Sequence, residues 1–83
     1  MRISVVLPSG KRLNLDVEPE MLGEEITEQL IENNMLQAEA SGAAYGLAFK
    51  EKDHRQLEMG STLIDNGVEE NDALIITTGA IAG

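Results

Sequence analysis

The chain has no cysteine and no tryptophan, and its 83 residues hold one phenylalanine, one tyrosine, one histidine and two prolines. Without cysteine there are no disulfides, no thiolate nucleophiles and no thiolate metal sites, so the fold stands on packing alone, which suits a reducing compartment. With so few aromatics, the 42% apolar share must build its core from Leu, Ile, Val and Met. Basic residues are scarce too: six against fifteen acidic ones, a net charge of -9 at pH 7. That charge repels phosphate backbones and anionic lipid surfaces, which argues against nucleic acid and membranes as partners. No run approaches ~18 consecutive apolar residues, and the opening MRISVVLPSGK has no unbroken apolar stretch with a small-residue cleavage site. A soluble cytoplasmic protein is expected. The length suits one small domain, which buries about 60–65% of its unfolded surface.

What is present is clear periodicity. Met1, Ile3, Val5 and Leu7 alternate with Arg2 and Ser4, and after Pro8-Ser9-Gly10 the alternation resumes at Leu13, Leu15 and Val17. A period of two on both sides of a proline–glycine turn predicts a hairpin with one apolar face. Pro19 ends the second strand. Beyond it Leu22, Ile26 and Leu30, with Leu36 near the same side, predict a helix over 21–36 lying across the hairpin. Gly23 is a poor helix former, so a start just after it is expected. Residues 37–44 read as a connection, and Tyr45, Leu47 and Phe49 as a third strand. A polar loop follows over 50–56, Leu57 returns through a short strand, and residues 61–68 are rich in turn formers. Leu74 and Ile76 then mark a last strand beside the first hairpin. The order β-β-α-β-β predicts an α+β fold, a β-grasp with one helix packed across a mixed sheet of four to five strands. The domain is expected over 1–78, with 79–83 as a flexible tail.

The residues go further than the architecture. MRISVVLPSGKRLNLDVEPE resembles the opening of the ubiquitin family without a gap, at Met1, Ile3, Val5, Gly10, Lys11, Leu15, Val17, Glu18 and Pro19. Ile26 and Leu30 fall where that family places helix core residues. After a longer stretch over 37–56, the likeness returns at Leu57, Gly60, Thr62, Leu63, Asp65 and Val68, so that about three quarters of the chain is covered.

The resemblance implies a non-enzymatic bacterial protein modifier conjugated through the Gly83 carboxylate. An E1-like adenylating enzyme would activate it, an E2-like carrier would pass it to target proteins, and a deconjugating peptidase would remove it. ATP would be used by the activating enzyme, and the chain itself would hold no cofactor and no metal. Gly79 belongs to the same tail, and Ala82 stands where the family has the first of two glycines. The noncovalent accessory proteins of bacterial type VII secretion, the YukD kind, are the alternative. A thiocarboxylate sulfur carrier is a further one, weakened by Ala82.

The surface that readers of such a modifier would contact is expected at Val6, Leu7, Ala48, Ile75 and Thr77. Ala48 is small for this role, and at ~25 cal/mol per Å² its missing area is worth on the order of 1 kcal/mol of contact. Lys11, Lys50 and Lys52 are the internal amines through which chains would form. His54, with no nucleophile or ligand partner in view, reads as a solvated loop residue. Glu20, Glu24, Glu25, Glu28 and Glu32 read as a solvated helix face that serves solubility, with docking on a basic partner as the alternative use.

Overall fold

Alternation over the first 17 residues produces the hairpin it predicts. In the computed structural model, which describes residues 1–37 and 44–79, β1 spans Arg2–Val6 and β2 spans Arg12–Asp16. They pair antiparallel from Arg2 opposite Asp16 to Val6 opposite Arg12. The loop closes by Gly10 N–H donating to Leu7 C=O at 2.8 Å and Leu7 N–H to Lys11 C=O at 2.8 Å. Gly10 sits at φ +93°, a left-handed conformation in which a side chain would be strained.

Helix α1 (Gly23–Glu32) follows, then β3 (Ala44–Phe49) and β4 (Ala73–Gly79). The sheet order is β2-β1-β4-β3, with β1 parallel to β4 and β3 antiparallel to β4. This is an α+β fold with a β-grasp layout, in which a four-stranded mixed sheet carries one helix. Ile3, Val5, Leu7 and Val17 from the hairpin meet Ile26 and Leu30 from α1. Leu47, Phe49, Leu74 and Ile76 from the other strands and Leu57, Leu63 and Val68 from the segment between them complete one core. No helix among the described residues is long and apolar enough to cross a membrane.

Three local expectations need correction. The helix is ten residues long and does not reach from 21 to 36. At its start, Leu22 is an extended cap residue with no side-chain cap bond. The segment that follows β3 caps it instead, because Gly23 N–H donates to Ser61 C=O at 3.2 Å and Glu24 N–H to Met59 C=O at 3.0 Å. Gly23 is in the helix for a packing reason: a Cβ there would lie 3.3 Å from the Cα of Met59. At the other end Asn34 takes φ 60°, and the N–H groups of Met35 and Leu36 fold back onto Leu30 C=O. Leu36 therefore enters the core from a left-handed turn after the helix.

The second correction concerns Leu57, which returns to the core without forming a strand. Only Ala48 and Gln56 form a β-bridge there, and Leu57 N–H donates to Leu47 C=O at 2.8 Å. The third concerns Gly79, which belongs to β4 and is its last residue. The tail residues Ala82 and Gly83 lie outside the described residues.

Candidate recognition face

Because side chains alternate across a strand, the residues that do not enter the core share the opposite face of the sheet. Register makes them neighbours. Val6 pairs with Arg12 on one side and Ile75 on the other, and Ile75 pairs with Ala48, so Arg12, Val6, Ile75 and Ala48 form one row across all four strands. Next to that row Thr77 pairs with Gly46. Val6, Ile75 and Thr77 are half-buried, a degree of exposure open to a partner.

Two of the five residues expected on this surface are not available to it. Leu7 is only 6% exposed and packs in the core with Ile3 and Val5, as the parity of its position dictates. Ala48 is on the outer face but only 3% exposed. Its backbone is bridged to Gln56, whose side chain also reaches over Gly46, where Oε1 lies 3.5 Å from the position of a Cβ. The chain after β3 thus folds back beside the strand and covers its small residues. What remains open is an aliphatic pair, Val6 and Ile75, flanked by Thr77 and by the exposed Arg12.

Lys52 and Arg55, in the polar loop after β3, are engaged in structure. Lys52 Nζ is 3.0 Å from Glu69 Oε1 and 3.0 Å from Asp72 Oδ2, and donates to Gly67 C=O at 3.4 Å. Asp72, followed by Glu69, raises the Lys52 pKa above its ordinary 10.5. Arg55 donates to Asn66 C=O at 2.7 Å. Both cations lie against the Phe49 ring, at 5.0 Å for Lys52 and 4.8 Å for Arg55. Lys11 and Lys50 are exposed and form no ion pair among the described residues. His54 is exposed at a left-handed turn position. Glu20, Glu24, Glu28 and Glu32 are exposed and Glu25 half-buried. No group of three or more His, Cys, Asp or Glu among the described residues is placed to hold a metal ion.

One feature lies outside all of these expectations. A groove of about 350 Å³ runs between β2 and α1, floored by Leu13, Leu15 and Val17 and walled by Ile26, Leu30 and Met35. It exists because the helix stops at Glu32, too soon to cover Leu13 and Leu15, which stay half-buried. The alternation of residues 13 to 17 locates its floor, but its open top depends on where the helix ends. Compared with known proteins, the chain matches no family model and no curated sequence.

Proposed function

We propose that the chain is a non-enzymatic, ubiquitin-like protein that works by being recognised, with Val6, Ile75 and Thr77 as its contact surface. The observation that supports this is the register that sets Val6 beside Ile75 on the uncovered side of the sheet. Conjugation through the Gly83 carboxylate, after activation by an E1-like enzyme and transfer by an E2-like carrier, is the use that the sequence resemblance adds. The second reading is a noncovalent accessory module of the YukD kind. The burial of Leu7 and Ala48 favours it, since it leaves a contact surface narrower than the five residues a modifier of this type was expected to present.

Tagged protein expressed in its native cells, with and without Gly83, tests the proposal. Covalent adducts that vanish when Gly83 is removed support conjugation. Binding partners recovered without adducts, and lost in Ile75→Asp with the fold intact, support the noncovalent reading. If Ile75→Asp changes neither adducts nor partners, recognition through this face is wrong.

A further inference from the structure

β2 is an edge strand, paired with β1 on one side and with no strand on the other among the described residues. The direction of its ladder says which groups are free. Met1 and Val17 exchange both backbone hydrogen bonds, at 3.0 and 2.8 Å, and at the loop end Leu7 N–H donates to Lys11 C=O. In an antiparallel pair such exchanges recur at every second residue. Odd residues of β2 therefore bond to β1, and the N–H and C=O groups of Arg12, Asn14 and Asp16 point outward along the open edge. An unpaired edge is a template for another strand unless it is blunted by proline, a bulge or unfavourable charge. This edge has no proline, and its charges form a pattern, RLNLD, with Arg12 and Asp16 placed symmetrically about Asn14.

We propose that the β2 edge is a self-association site, at which a second copy of this chain pairs antiparallel with Asn14 opposite Asn14. In that register Arg12 of each copy faces Asp16 of the other, and all three outward residues become hydrogen-bonded pairs. The contact is isologous, closing at two copies about a twofold axis perpendicular to the sheet. The two four-stranded sheets become one continuous sheet, with both helices on the same face. Leu13 of each copy then lies opposite Leu15 of the other, on the helix side. These leucines meet at the mouths of the two β2–α1 grooves, where Leu13 and Leu15 are half-buried and Met35 is 45% exposed in the single chain.

Charge complementarity decides for a second copy over an unrelated extended peptide. A net charge of -9 per chain opposes association, so a partner copy needs local attraction to offset it, and the two Arg12–Asp16 pairs supply it where the strands meet. Within one chain these residues have little else to do: Arg2 Nε reaches Asp16 Oδ1 only at 3.4 Å, with both side chains mostly exposed.

The test is a charge swap read by sedimentation equilibrium of the full chain at about 0.15 M salt, where surface charges are screened beyond ~8 Å. Wild-type protein should form a dimer in a concentration-dependent way below about 1 mM. Arg12→Asp and Asp16→Arg each place like charges opposite one another twice, and should each weaken self-association about tenfold or more. Mixed one to one, the two variants restore both opposite-charge pairs, at the same total charge as two wild-type chains, and should associate as wild type does. Unchanged circular dichroism controls for folding. Amide shifts on dilution should be confined to residues 12–16 and the groove wall. A chain that stays monomeric up to about 1 mM, or variants that fail to associate when mixed, overturns the proposal.

Discussion

The side-chain amide of Asn66 pairs with the backbone of Glu58 at both ends: Oδ1 accepts from Glu58 N–H at 2.7 Å, and Nδ2 donates to Glu58 C=O at 3.0 Å. The same Nδ2 donates to Thr62 C=O at 2.9 Å, in a residue only 4% exposed. Asn66 thereby holds the segment whose Met59 and Ser61 carbonyls cap α1. Asn66→Ala should destabilise the protein by about 1–3 kcal/mol, because it leaves part-buried backbone groups of Glu58 and Thr62 without partners. Asn66→Asp keeps the acceptor but sets a carboxylate against two carbonyls, and should cost at least as much. Urea unfolding midpoints check both. An Asn66→Asp protein as stable as wild type would show that the donated bonds contribute nothing.

The turn Lys52–Arg55 closes with Arg55 N–H donating to Lys52 C=O at 3.2 Å, and its two central residues, Asp53 and His54, have φ 58° and 53°. Left-handed conformation at both centres is the type I′ signature, which favours Asn-Gly and costs other residues about 1 kcal/mol or more each. Replacing Asp53-His54 by Asn-Gly should therefore raise stability by about 0.5–1 kcal/mol, after the greater unfolded-state entropy of glycine is counted. Thermal unfolding reads the gain, and no gain would mean that the turn carries no strain.

The raised Lys52 pKa has a definite sign. A cation held by Asp72 and Glu69 titrates later in the folded chain than in the unfolded one, so its stabilisation is fully present below pH 10.5 and is lost as pH rises through the higher folded value. Lys52→Met should accordingly lower Tm at pH 7, and the difference from wild type should shrink at alkaline pH. Added salt should shrink it as well, since the site is exposed and open to screening. A difference that persists unchanged above the titration would assign the loss to packing on Phe49.

Parity made much of this legible. Ile3, Val5, Val17, Leu74 and Ile76 could be assigned to the core, and Val6, Ile75 and Thr77 to the other face, because a strand has only two faces and the sheet one helix. Leu7 was placed on the surface against its own parity, on resemblance alone. Residues whose fate depends on distant chain were not legible. Ala48, on the outer face, is buried beside the bridge that its strand makes with Gln56. The stretch containing Asn66 reads only as turns, although its buried amide makes three short bonds to the backbone of Glu58 and Thr62. The β2–α1 groove is hidden for a local reason: Asn33 and Asn34 end the helix through bonds back to Gln29 and Ile31, while the apolar spacing carries on to Leu36.

Val6 and Leu7 are adjacent, yet their truncations should differ. Leu7→Ala removes a buried side chain from the core, which costs about 2–5 kcal/mol, whereas Val6→Ala removes methyl groups from the half-exposed face and should cost under about 1 kcal/mol. Denaturant titrations of the two variants give the comparison directly. Equal losses would contradict the assignment of Val6 to the recognition face.

Gly46 and Thr77 pair across β3 and β4, and a Cβ at Gly46 would lie 2.7 Å from Thr77 Oγ1. Alanine in a strand is ordinarily better than glycine by roughly 0.5–1 kcal/mol, since glycine loses more freedom on folding. Here the added methyl collides with a β-branched side chain whose χ1 is restricted, so Gly46→Ala should destabilise by about 1 kcal/mol. Thr77→Ala removes the colliding oxygen and frees the same space. In Gly46→Ala/Thr77→Ala the strand preference should reappear, making the double variant more stable than the sum of the single losses by about 1 kcal/mol. A double-variant cycle in urea measures that coupling. Additive losses would mean that the Gly46–Thr77 contact carries none of the cost.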